Sequence, residues 1–193
     1  MRAGSFLFLL LWAASLGGVE IHIDHAAIER GLVEQLFSDE GRMYLRGSRG
    51  AKCSYAYLED PEVTSEAGRL KIRAQFTGRS ATDLFGACIG PGGSFVVLVT
   101  AAPYYQDGVI KLRDVTVESQ DGDGFYFRRA RAALAEELPK KFSYAALEYA
   151  RRVIEQPGEA SSYQKSLKEF RVSEIRVTDD ALILVLEFVL AVK

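Results

Sequence analysis

Two cysteines, two histidines and a single tryptophan are spread over 193 residues, and each scarcity removes a class of chemistry. With only Cys53 and Cys88 there is no Cys-x-x-Cys pair, no metal-type spacing and no third thiol to start a zinc site. His22 and His25 flank Asp24 near the N-terminus; a lone His-x-x-His in a lead-in segment is a weak metal signal, and solvated side chains are the simpler reading. No Gly-x-Ser-x-Gly occurs, and no Ser, His and Asp fall in an order with helpful context. Charge of one sign is lacking too. Against 26 acidic residues stand 24 basic ones, whereas a nucleic-acid partner would call for a strongly basic face. The sequence therefore predicts no catalytic residue, no metal and no cofactor, and it reads as a protein that is not an enzyme.

The glycine-rich stretches add nothing catalytic. Gly90-Pro91-Gly92-Gly93 lacks the lysine and the strand-then-helix context of a phosphate cradle, and is expected to be a loop. Asp121-Gly122-Asp123-Gly124 is reminiscent of a calcium loop, yet the remaining EF-hand ligands are missing and a turn followed by a helix cap accounts for it.

What is present describes an ordinary globular chain, 48% hydrophobic and 26% charged, long enough to bury a core. The first residues read differently from the rest. Arg2 supplies a positive start, residues 6–12 an apolar run, and residues 13–18 a small-residue tail. That pattern predicts a signal peptide over 1–18 and a mature domain over 19–193; the competing reading is an N-terminal membrane anchor. An exported chain can keep disulfides. Closing the Cys53–Cys88 loop would restrain the unfolded chain by about 3–4 kcal/mol, but two buried thiols that never meet fit the sequence equally well, because spacing does not place their Cα atoms.

Past the leader, residues 19–23 alternate as a short strand. Asp24 then opens a helix carrying Ile28, Leu32, Leu36 and Phe37, ending near Gly41. Met43 and Leu45 mark a strand; Cys53, Tyr55 and Tyr57 mark the next, which Asp60-Pro61 is expected to stop. Residues 69–77 alternate cleanly, with Leu70, Ile72, Ala74 and Phe76 on one face. Residues 95–99 are apolar on both faces and predict a central strand. Asp107-Gly108 is a hairpin signal.

Two later strands change phase in the middle. Ile110 and Leu112 alternate and then Val115 and Val117 do; Phe170 and Val172 are followed by Ile175 and Val177 in the same figure. A one-residue slip turns a strand inside out unless a bulge absorbs it, so a bulge is expected at Arg113-Asp114 and another at Ser173-Glu174. Two bulged strands imply a sheet that curls. Residues 181–192 form the last strand, apolar on both faces and too short for a membrane-spanning helix.

The stretch 124–156 carries Phe127, Ala130, Leu134, Leu138, Phe142, Ala145, Tyr149 and Val153 at gaps of three and four. It reads as one unbroken amphipathic helix about 50 Å long, with Asp123 at its cap and Pro157-Gly158 at its stop. The fold class is accordingly α+β: a strongly curved antiparallel β-sheet wrapped around one long α-helix, with a shorter N-terminal helix.

This order of elements resembles the YceB-like bacterial envelope lipoproteins of the tubular lipid-binding (TULIP-like) group. Ala102-Pro103-Tyr104 followed by residues 107–115 is similar to their proline-containing strand, turn and bulged return strand. Leu138-Pro139, Ala146-Leu147, Pro157 and Tyr163 are similar to their helix and its exit, and residues 170–177 to their penultimate strand. The resemblance covers most of the mature chain, with no catalytic signature in it. Its lipobox cysteine is replaced by glycine after Ser15-Leu16-Gly17, so lipid anchoring is not expected and a periplasmic location is. The resemblance implies an apolar groove that takes a lipid or another long apolar molecule. Its expected lining is Leu134, Leu138, Phe142, Ala145 and Tyr149 on the helix, with Phe76, Val97, Val99, Leu184 and Leu186 on facing strands. Arg128, Arg129 and Arg131 lie in the first helical turns, where the macrodipole favours anions; they read as a headgroup rim toward lipid or a membrane surface, or as a solvated face balanced by Asp121 and Asp123. The competing function is an envelope interaction or assembly protein whose closed core holds no ligand.

Overall fold

The computed structural model describes residues 18–120, 122, 124–156 and 163–193, and of Phe125 and Arg129 only the backbone. The leader (1–17), Asp121, Asp123 and the Pro157-Gly158 stop therefore lie outside the described residues. Antiparallel strands dominate, with one sheet strongly curled into a half-barrel and a few helices. That sheet has six strands in the order β2-β3-β4-β7-β8-β9: β2 Arg42–Arg46, β3 Ser54–Glu66, β4 Arg69–Ser80, β7 Gly92–Gln106, β8 Val109–Ser119 and β9 Ser143–Tyr144. A second sheet is ordered β1-β11-β10, from β1 Val19–Asp24, β10 Lys165–Val177 and β11 Ala181–Val192. A small hairpin, β5 Thr82–Leu84 with β6 Ala87–Ile89, stands apart.

Bulges are what allow the curl. In β8 the pairing passes from Thr100↔Thr116 to Ala102↔Arg113, so that Asp114 and Val115 face the single residue Ala101. Asp114 takes φ +53°, and the Arg69 guanidinium donates to its carbonyl oxygen. Leu112 and Val115 consequently both point inward, as their phase requires. In β10 Ser173 is the extra residue, so Val172 and Ile175 share the inner face; Lys168 is extra in the same way between Leu167 and Glu169. Asp60-Pro61 does not end β3, contrary to expectation. It is a bulge, two residues opposite Ala74 with Asp60 at φ +52°, and pairing resumes at Glu62↔Arg73. A proline is accommodated there because a bulged residue owes no ladder hydrogen bond.

The single long helix is not observed. The stretch divides into α2 Phe125–Lys141 and α3 Ala146–Glu155. Pro139 in the last turn of α2 weakens the helix locally. Phe142 turns extended at φ −82°, ψ 105°. Ser143 and Tyr144 then pair with Lys111 and Ile110 as an edge strand, and α3 restarts with the Leu147 N–H donating to Gly108 O at 2.9 Å. The expected stripe packs along α2, through Phe127, Ala130, Leu134 and Leu138, whereas on α3 its Tyr149 and Val153 are more than half exposed and Ala146 is buried instead.

The inner face of the curled sheet and α2 form one closed core. Phe76, Leu134 and Val97 are its most enclosed large side chains, each contributing about 1.5–3 kcal/mol by burial. Phe76 stacks on Phe95 at 4.7 Å, and Phe127 meets Phe95 edge-on at 5.4 Å. A second cluster joins Val172, Leu182, Leu184 and Leu186 of the three-stranded sheet to Ile110 and Ala146. Between the two runs α1 (His25–Gln35), packed on Val63 and Leu70 through Leu32 and tied to β3 by the Val63 N–H donating to Glu29 Oε2 at 3.0 Å.

Candidate functional site

Where α1, the three-stranded sheet and the β8–β9 edge meet, the clusters do not close. They leave an apolar cavity of about 440 Å³. Ile21 and Ile23 of β1 with Leu182 of β11 form its floor. The inner face of α1 forms one wall, with Ala27, Ile28, Gly31, Leu32, Gln35 and Leu36. Ile110, Phe142, Ser143, Tyr144 and Tyr149 form the other.

Each wall has a local cause. Gly31 sits within α1, and a Cβ built on it meets nothing within 4 Å; the helix faces empty space there. The break after α2 sets Phe142 and Tyr144 opposite it, because pairing of Ser143-Tyr144 with β8 fixes their direction. Tyr144 and Tyr149 lie with ring centroids 5.9 Å apart. The mouth is marked by Tyr149, about half exposed at 54%. Polar groups are few: the Gln35 amide and the hydroxyls of Ser143, Tyr144 and Tyr149. Burial raises the Tyr144 phenol above its ordinary value, and the nearby Tyr149 raises it further while Arg152 opposes. No acidic or basic side chain stands among the described residues that line the cavity. Among the described residues no three His, Cys, Asp or Glu side chains come together as a metal site.

A smaller apolar void, about 30 Å³, lies on the other side of Leu32, Leu36 and Phe142, which line both spaces. Of the ten residues expected to line a groove, Phe142 and Tyr149 reach the larger cavity, and Leu138, Val99 and Phe142 reach the smaller void. Leu134, Phe76 and Val97 are packed in the closed core, and Leu184 and Leu186 in the second cluster. Ala145 is exposed in the break between α2 and α3. Arg128 and Arg131 are exposed on α2 and neither lines the cavity; the Arg129 side chain lies outside the described atoms. Cys53 and Cys88 are bonded, with Cα atoms 5.1 Å apart.

Sequence reasoning missed most of the lining: Ile21, Ile23, Ala27, Gly31, Gln35, Ile110, Tyr144 and Leu182. Gly31 carried the one available signal, an isolated glycine inside an amphipathic helical pattern. No protein-family model, curated protein or solved structure matches the chain.

Proposed function

We propose that the protein binds a lipid or another long apolar molecule, non-enzymatically, in the cavity beside Gly31, and can carry it within a bacterial cell envelope. The cavity itself carries the proposal. Its volume of about 440 Å³ falls in the range of roughly 300–1,000 Å³ typical of ligand sites. Interiors are otherwise close-packed, and an apolar space of that size with its mouth at the surface is better filled by apolar matter than by water. The few hydroxyls at Tyr144, Tyr149 and Ser143 suit one polar end of an otherwise apolar ligand. A curled sheet packed on a helix is compatible with the TULIP-like reading. Export and a periplasmic location are favoured by the disulfide.

The test is extraction and native mass spectrometry of the protein purified from its own envelope, followed by uptake of a fluorescent fatty acid. We expect a bound apolar species and saturable uptake, which Gly31→Phe abolishes by filling the cavity while the protein stays folded. If neither a bound species nor uptake by the wild type is found, the assembly-protein reading, with no ligand, replaces this one.

A further inference from the structure

The β5–β6 hairpin has no part in the cavity, yet it carries a concentration of exposed apolar side chains. Phe85 is fully solvated at 108% exposure, Ile89 is 61% exposed and Leu84 47%. Pairing is Thr82↔Ile89, Asp83↔Cys88 and Leu84↔Ala87. Because side chains alternate along a strand, Thr82, Leu84, Ala87 and Ile89 share one face and Asp83 and Cys88 the other. Cys88 is bonded to Cys53 at the start of β3. The disulfide therefore faces the body of the protein, and the apolar face looks away from it.

Two strands of three residues are marginal on their own in water. Here the base is fixed by the disulfide, by Ala81 N–H donating to Cys53 O and by Ser80 N–H donating to Pro91 O, both at 2.8 Å. At the tip Phe85 adopts φ +56° and Gly86 φ +86°, a turn for which asparagine or aspartate before glycine is the favoured chemistry. A phenylalanine there gains nothing from the fold, since it touches water on every side. Scattered exposed apolar residues need no explanation, but three on one stapled projection mark a contact surface.

The charges nearby select the kind of contact. Lys52 adjoins the disulfide and is exposed, and the Arg79 guanidinium, also exposed, donates to Cys88 O at 3.2 Å. The hairpin's one carboxylate, Asp83, accepts the Gly86 N–H at 2.8 Å. An apolar tip with cations at its base complements a bilayer with anionic headgroups, where the tip enters the acyl boundary and the cations stay at headgroup level. In a two-fold contact of hairpin on hairpin, a second copy would set Lys52 and Arg79 against their own like charges.

We propose that this hairpin is a membrane-docking tip, placing Leu84, Phe85 and Ile89 in the interface of an anionic lipid surface with Lys52 and Arg79 at the headgroups. It stands independently of the cavity, since a protein with no internal ligand would dock in the same way.

Trp12 is the only tryptophan, which permits a local probe in the full chain. In the Trp12→Phe, Phe85→Trp protein, thiol titration checks that the disulfide is intact. Emission is then followed with phosphatidylcholine vesicles, with and without phosphatidylglycerol. A blue shift and quenching by bromine-labelled acyl chains are expected on the anionic vesicles. Lys52→Glu should weaken the response by about fivefold or more, given roughly 1 kcal/mol per cation near such a surface. Leu84→Ser with Ile89→Ser should abolish it. Emission unchanged by either vesicle would overturn the proposal, even if the leader holds the chain on the membrane. So would a vesicle-independent shift that grows with protein concentration, which would identify self-association.

Discussion

In the middle of α1, Gly31 stands where almost any other residue would favour the helix more. A helical glycine costs roughly 0.5–1 kcal/mol relative to alanine, and outside its own turn of helix nothing lies within 4 Å of the Cβ it lacks. Gly31→Ala should therefore raise stability by about 0.4–1 kcal/mol, read as a higher denaturation midpoint with an unchanged slope. Fatty-acid uptake should persist in that variant, because one methyl removes little of the cavity. Tyr144, on the facing wall, gives the cavity a pH signature. Burial raises its folded-state pKa above the ordinary tyrosine value, so this stabilising contribution is complete below about pH 10 and is lost as pH climbs through the folded pKa. Alkaline titration of unfolding should show stability falling in that window, less steeply in Tyr144→Phe. A bound apolar ligand should desolvate the phenol further, so that the loss starts at the same pH but continues to higher pH and becomes larger.

At the scale of elements, the inward residues of β10 are Leu167, Phe170, Val172, Ile175 and Val177, so the two-residue period slips once after Leu167 and once after Val172. Deleting Ser173 would make Val172↔Leu186 and Glu174↔Val185 consecutive pairs of a regular ladder, with Val172, Ile175 and Val177 still inward and Glu174 and Arg176 still in water. What is lost is the bend the bulge imposes. A cost of about 1–3 kcal/mol from repacking the cluster on a straighter strand is expected on chemical denaturation; Ser173→Ala, which keeps the bulge, should cost under about 1 kcal/mol. The bulges at Asp114 and Ser173 were legible because a phase change is written in the spacing of apolar residues; the one at Lys168 was not read from the sequence. The end of α2 was only half legible. Pro139 is visible in the sequence, but what stops the helix is the pairing of Ser143-Tyr144 with Lys111-Ile110, a long-range contact that leaves no local period. Asp60-Pro61 misled in the opposite sense, since the same dipeptide that ends many strands serves here as a bulge. The β5–β6 hairpin escaped notice because Phe85-Gly86 lacks the usual turn chemistry.

Across the whole molecule, three packing clusters meet at α1, and the cavity exists because no single element is shaped to fill their junction. No stretch of sequence encodes such a junction: Ile21, Gly31, Ile110 and Tyr144 come from four elements and belong to no common pattern. Phe142 is the side chain on which the geometry turns, since with Leu32 and Leu36 it separates the cavity from the small void beneath the curled sheet. Truncating it removes part of that partition. Phe142→Ala should cost about 3–5 kcal/mol or somewhat less, because the ring is only partly buried. It should also join the two spaces into one longer tunnel reaching Val99 and Leu138. The consequence for binding is selective. On the proposed binding, short-chain fatty-acid probes small enough for the existing cavity should change little in affinity. Long-chain probes should gain affinity in proportion to the extra methylenes buried, at about 0.8 kcal/mol each. Competition titrations with a homologous series of fatty acids, at a temperature where both proteins are folded, measure this difference directly. A uniform loss of affinity across the series would mean that Phe142 is part of the binding surface and not a partition.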